Sequence, residues 1–239
     1  MTVKSIDDLV GGSDGYTVVQ ADRLRKALCV ALRSHVSAAL GCELFDREDD
    51  LFDALFLNHN VFRQKSSRIF SLEQLSPIIS ATSEIFVKND IGTVFQVSDE
   101  EALGHPNIYF RVVRARATED VGPMHKDKWF WDLGHGSIEK DKARAKLWVP
   151  IVQDDSKCSL VIVPGSHRMH FDYASRVEDG TGKIKPVFNR RVVENQIVLA
   201  PVRVGEAIIF NDELLHGGIA TEHDRISAEL TLVYRRKGC

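Results

Sequence analysis

The chain has 239 residues, of which 44% are hydrophobic, enough to build the core of one barrel-sized domain. Its formal charge of -3 gives no global attraction toward nucleic acid or an anionic membrane. The start carries no secretory signal, no apolar run approaches the roughly 20 residues of a spanning helix, and Cys29, Cys42, Cys158 and Cys239 form no CxxC pair, so a cytoplasmic protein without a disulfide framework or zinc knuckle is expected.

Leu24, Leu28, Leu32, Val36 and Leu40 recur every four positions, which predicts an amphipathic helix over Ala21 to Leu40, stopped by Gly41. Two further helical patterns cover Glu48 to Phe62 and Leu72 to Val87, the second with Pro77 near a break. After Asn89 the texture changes to short β-rich runs: Thr93 to Val97, Ile108 to Val113, Lys146 to Ile151, Ser159 to Val163, Glu206 to Phe210 and Ile226 to Tyr234. Pro164-Gly165, Gly205 and Gly217-Gly218 punctuate them. The whole chain, 1–239, reads as one mainly β domain, with a helical layer over about 1–89 buttressing a β-barrel or sandwich over about 90–239. The segment from Asp172 to Asn195 is rich in Gly and charge, and reads as an insertion that forms a mobile lid over about 172–195.

Chemistry concentrates at Pro123-Met124-His125-Lys126-Asp127. On an extended strand, His125 and Asp127 point to one face, so two ligands can share a metal, and Lys126 points away. His216, where a β-run meets Gly217-Gly218, supplies a third ligand. Two histidines and one carboxylate leave open metal positions, the arrangement associated with Fe(II) oxygenases. Nine residues beyond His216 comes Arg225, which shares a strand face with Ser227, a donor pair suited to a carboxylate. The residues alone leave two other classes open: a jelly-roll isomerase or hydrolase using another divalent metal, and a non-catalytic sugar- or metabolite-binding barrel. Arg225 argues against the first and the complete triad against the second.

The ordered set of HxD, Pro164-Gly165-Ser166-His167, a distal histidine and RxS resembles the phytanoyl-CoA dioxygenase-like branch of the 2-oxoglutarate oxygenases, from about Tyr109 to Tyr234, with the N-terminal helical part outside the resemblance. The resemblance implies a double-stranded β-helix, or jelly roll, with flanking helices. It implies Fe(II) at His125, Asp127 and His216, the distal carboxylate of 2-oxoglutarate at Arg225 and Ser227, and molecular oxygen as the other co-substrate. Hydroxylation with release of succinate and carbon dioxide is the expected outcome. Asp127 fills the position that related halogenases leave vacant, which argues against halogenation. The chain departs from the pattern at Lys157-Cys158, where many members carry Asn-Gly.

For the substrate, Lys128, Trp129, Trp131 and His135 combine flat apolar faces with polar groups just beyond the iron ligands, a wall for a sugar-like ring. Arg168, with Arg190 and Arg191, forms a positive rim for an anionic group. The expected partner is a small anionic or sugar-like molecule, not nucleic acid and not a membrane. The remaining histidines, His167 included, read as structural.

Overall fold

A computed structural model describes residues 4–92, 94–136, 138–153, 160–178 and 182–236. Helix α1 (Ile6–Val10) opens on a capping box between Ser5 and Asp8 and leads into strand β1 (Tyr16–Gln20). Helix α2 (Asp22–Leu40) follows the predicted spacing, burying Leu24, Leu28, Leu32 and Val36, and Gly41 ends it at φ 64, a left-handed geometry that glycine adopts without Cβ strain. The expected helix over Glu48 to Phe62 is two pieces, α3 (Glu48–Leu57) and a 3-10 turn over His59–Phe62. Asn58 divides them as the C-cap of α3: its side-chain amide and its own backbone N–H both donate to Ala54 O, at 2.9 and 3.0 Å.

Helix α4 (Leu72–Lys88) runs through Pro77 without a break, contrary to the sequence expectation. Pro77 is exposed, so water satisfies the carbonyl it orphans, while Leu75, Ile78, Ala81 and Ile85 hold the helix from the buried side.

The β part is two facing antiparallel sheets. The larger has the order β1-β9-β4-β11-β2, with β3 also on β11, where β2 is Phe95–Val97, β3 Ile108–Val113, β4 Lys142–Val152, β9 Glu206–Asn211 and β11 Arg225–Arg235. The smaller is β10-β5-β8, made of β5 (Leu160–Ile162), β8 (Val198–Leu199) and β10 (His216–Gly218). This is the expected jelly roll. The helical layer is not purely helical, because β1 pairs along β9 from Tyr16↔Phe210 to Gln20↔Glu206 and belongs to the large sheet.

Alternation along the strands sets two faces. Ile108, Phe110, Leu147, Val149, Ile226, Ala228 and Leu230 point outward and pack under α2 and α4 in the main core. Their neighbours point between the sheets, where Trp148, Ile208 and Phe210 meet Leu160, Ile162 and Leu214. The segment read as an insertion has its own structure: a hairpin of β6 (Ala174–Val177) and β7 (Ile184–Val187), then a 3-10 stretch over Arg190–Gln196. Lys157-Cys158 lies outside the described residues.

Candidate active site

His125 reaches the inner space by pairing with β10: its backbone N–H donates to His216 O at 2.8 Å and that of His216 returns to His125 O at 2.9 Å. The expected strand stops there. Lys126 is extended, at φ -103 and ψ 137, but Asp127 begins the short helix α5 (Asp127–Asp132). One extended residue suffices to bring both side chains to the same place. Lys126 turns the other way, as the alternation requires, and its buried ammonium donates to Ser166 O at 2.9 Å and Met169 O at 2.7 Å.

Those contacts explain the Pro164-Gly165-Ser166-His167 turn. Ser166 is fully buried and its Oγ accepts from Leu215 N at 2.8 Å, while Val163 N donates to Leu215 O at 2.9 Å. One turn therefore anchors the residue before His216 and, through Lys126, the residue between His125 and Asp127.

The ligand atoms of His125, Asp127 and His216 all lie within 4.8 Å of one another. Both imidazoles are oriented by backbone, His125 Nδ1 on Pro123 O at 2.8 Å and His216 Nδ1 on Leu214 O at 2.9 Å. With Nδ1 protonated for those bonds, each Nε2 presents a lone pair toward Asp127, at 3.8 Å from Oδ1 and 3.7 Å from Oδ2. Asp127 Oδ2 is buried with no hydrogen-bond partner among the described residues. An orphaned carboxylate oxygen is costly unless a cation takes it up, so the set fits a divalent metal.

The electrostatics agree. Burial alone would raise the Asp127 carboxyl, but the neighbouring Lys146 ammonium holds it well below the usual carboxylate range. Burial and the neighbouring His125 push the His216 imidazole down to about 4, keeping it neutral and able to ligate. Lys146, on the inner face of β4, lies 3.7 Å from Asp127 Oδ1, 3.4 Å from Glu100 and 2.8 Å from Thr231 Oγ1. Burial disfavours its charge, yet the two carboxylates raise its pKa. Asp212, in the turn after β9, has its carboxyl pushed up to about 7 by burial and by the charges of Asp127 and Glu213. Sequence reasoning passed over Lys146, Glu100, Thr231 and Asp212; inward alternation on β4 and β11 was the available signal for Lys146 and Thr231, whereas Glu100 and Asp212 lie outside the strands.

Arg225 and Ser227 are both buried on β11, and the Arg225 guanidinium carbon lies 5.6 Å from the Trp148 ring centre on the inner side. The expected substrate residues scatter. Trp129 is buried on the outer side of the small sheet, stacked on Tyr173 at 4.7 Å. Lys128 pairs with Asp132 at 2.6 Å along α5. His135 is hydrogen-bonded to Ile184 O in the hairpin, and Arg168 to Gly11 O. These four side chains are engaged with groups of the protein itself. Trp131 does reach the inner end, where Arg144 of β4 sits 3.8 Å above its ring. Phe130, between the two tryptophans, packs edge-on against His125 with ring centres 5.3 Å apart.

A family model described as phytanoyl-CoA dioxygenase (PhyH) matches residues 13–227. The chain belongs to the PhyH family. The match begins before β1, so the family pattern extends into the N-terminal part that the motif resemblance had left out, for the structural reason that β1 completes the large sheet. Solved structures with the same fold include EvdO2 from Micromonospora carbonacea var. aurantiaca, with TM-score 0.55 and 13% identity over 93% of this chain and 87% of that one. EctD from S. alaskensis in its apoform has TM-score 0.51 and 14% identity over 93% of this chain and 74% of that one. The non-heme alpha ketoglutarate dependent carbocyclase SnoK from nogalamycin biosynthesis has TM-score 0.50 and 14% identity over 98% of this chain and 90% of that one. No curated protein sequence matches the chain. Among the described residues, no helix of this PhyH-family protein is long and apolar enough to cross a membrane.

Proposed function

We propose that the protein is an Fe(II)- and 2-oxoglutarate-dependent dioxygenase that hydroxylates a small polar or carbohydrate-like metabolite, releasing succinate and carbon dioxide. The observation that carries this reading is the convergence of two Nε2 lone pairs and an orphaned carboxylate oxygen within 4.8 Å, on the inner side where Arg225 and Ser227 also lie. EctD has been solved with bound Fe and EvdO2 complexed with 2-oxoglutarate, which supports the same assignment of groups.

In this reading His125, Asp127 and His216 hold Fe(II), which when bound supplies open positions for the keto acid and for oxygen. Arg225 and Ser227 take the distal carboxylate of 2-oxoglutarate through charge-assisted hydrogen bonds. Lys146 keeps the Asp127 carboxylate ionised and oriented. Phe130 and Phe210, whose rings lie 5.3 Å from His125 and 4.7 Å from His216, keep water from that side of the ligand set. Trp131 with Arg144 walls the inner end, and paired strands β6 and β7, of which β7 packs beside α5, serve as the lid element. Each turnover converts substrate, 2-oxoglutarate and oxygen to hydroxylated product, succinate and carbon dioxide.

Because a neighbour with this fold is described as a carbocyclase, the first assay should read the shared product rather than a hydroxylated one. Purified protein with Fe(II), ascorbate, 2-oxoglutarate and oxygen should form succinate, and His125→Ala and Asp127→Ala should lose it at least about 100-fold. Comparable succinate from wild type and both variants would defeat the assignment.

A further inference from the structure

The inner face carries a second group of cations apart from Arg225. Register places Arg111 of β3 directly opposite Ser227 of β11, and Tyr109 opposite Glu229, so these four side chains share the face between the sheets. Among the described residues Arg111 makes no hydrogen bond or ion pair within reach of its guanidinium. The acid whose charge it feels most is Asp120, which is already engaged by Arg114 at 2.8 Å and by His59 at 3.3 Å. Arg111 extends toward the loop that delivers the metal ligands: a Cβ placed on Gly122 would lie 4.0 Å from its Nη1. Gly122 O in turn accepts from Gly218 N, two residues beyond His216.

Arg68 approaches β3 from the 3-10 turn Ser66–Arg68, which the next two residues tie to that strand, Ile69 by pairing with Tyr109 and Phe70 N by donating to Ile108 O at 2.9 Å; Arg68 Nε donates to Gln64 O at 3.3 Å. Burial and the charge of Arg111 pull its pKa down to about 10, so it remains a cation at neutral pH. Glu229 is the acid facing them, and burial together with Glu100 pushes its carboxyl up to about 7, leaving it only partly ionised. Two half-buried guanidinium groups share this side of the sheet while Asp120 is taken up by Arg114 and His59 and Glu229 is only partly ionised, so donor capacity remains for a further anion. Guanidinium groups on neighbouring segments, close enough for each to feel the other's charge, are the donors that bind a carboxylate or phosphate.

We propose that Arg68 and Arg111 form a second anion seat inside the barrel, separate from Arg225, which holds a carboxylate or phosphate of the primary substrate. This rests on the oxygenase reading, in which Arg225 is occupied by 2-oxoglutarate. It makes the substrate class anionic and places the anion at the β3 edge of the metal pocket, so that the substrate reaches the metal from that side.

The test uses anaerobic Fe(II)- and 2-oxoglutarate-loaded protein, with methyl phosphate and acetate as separate probes that distinguish the two anion chemistries. At least one probe should raise the melting temperature of the loaded wild type without displacing 2-oxoglutarate. Arg111→Gln and Arg68→Gln should each weaken probe binding 10-fold or more and keep 2-oxoglutarate affinity within twofold, while Arg225→Gln should show the reverse pattern. Without probe, Arg111→Gln should melt higher than wild type, because the repulsion between two half-buried cations has been removed; that outcome also shows that the variant folds. A 10-fold loss of 2-oxoglutarate affinity in Arg111→Gln or Arg68→Gln would assign the seat to the co-substrate and overturn the proposal, as would the absence of any probe binding to wild type. Absence of metal-dependent 2-oxoglutarate binding in wild type would defeat the oxygenase reading instead. The metal-free protein would then still decide the seat, supported by an Arg111-dependent probe shift and overturned by its absence.

Discussion

Lys146 and Asp127 face each other across the inner end of the barrel, with Nζ 3.7 Å from Oδ1 and the ammonium shared with Glu100 at 3.4 Å. A single buried cation thus separates the Asp127 carboxylate of the candidate metal site from a second acid. Lys146→Met should cost about 3 kcal/mol or more in the metal-free protein, because two carboxylates are left facing each other with no cation between them. The loss should shrink when a divalent metal is bound, since the ion restores positive charge beside Asp127. Melting curves of both proteins with and without Fe(II) check this, and an equal loss in the two conditions would remove Lys146 from the electrostatics of the metal site.

Glu229 sets a pH dependence of known sign. Its folded carboxyl is pushed up to about 7 from an ordinary 4.5. Below 4.5 both states hold the proton; between 4.5 and 7 only the folded state does, so stability falls as pH rises through that window, by up to about 3 kcal/mol. Asp212 acts in the same direction; His216, pushed down to about 4 from 6.5, acts oppositely across much of the same window, and Asp127 acts oppositely below it, so the Glu229 contribution is read by comparing the variant with wild type. Glu229→Gln should therefore gain stability relative to wild type at pH 8 compared with pH 5, read by chemical denaturation at both. A constant difference between the two proteins would show that Glu229 titrates normally.

Ser166 should be worth more to metal binding than its distance from the ligands suggests. Ser166→Ala strips the acceptor from Leu215 N in a fully buried position, a loss of about 1–3 kcal/mol. Because Leu215 precedes His216, the Fe(II) concentration needed for half-maximal succinate formation should also rise severalfold. A variant that is less stable but has an unchanged Fe(II) requirement would make the turn purely structural.

Gly217 is required by close approach. A Cβ there would lie 2.9 Å from Met124 Sδ and 3.0 Å from its backbone N and Cα, one residue before His125. Gly217→Ala should push β10 away from the His125 segment, costing about 1–3 kcal/mol and weakening metal affinity about 10-fold. Calorimetric titration with Fe(II) or Mn(II) reads the second effect, and an unchanged affinity would show that the two ligand segments move independently.

Much of this protein was legible in the order of its residues. Periodicity of four located α2 and its Gly41 stop, β-branched runs located β3, β4, β9 and β11, the HxD motif and His216 named three groups that meet in space, and Arg225 and Ser227 share the inner side of β11, because those signals act within one element or follow the sheet's alternation. Local signals misled where a tertiary contact outweighed them: α4 continues through Pro77 because its buried side holds it, and Trp129 packs outside against Tyr173 while Phe130 faces His125, a choice made by the rotation of a helix that replaces the expected strand. The charge partners of the interior, Lys146 between Asp127 and Glu100 and Arg111 beside Ser227, were decided only by folding, since strand register joins residues far apart in the chain and burial makes their charges matter.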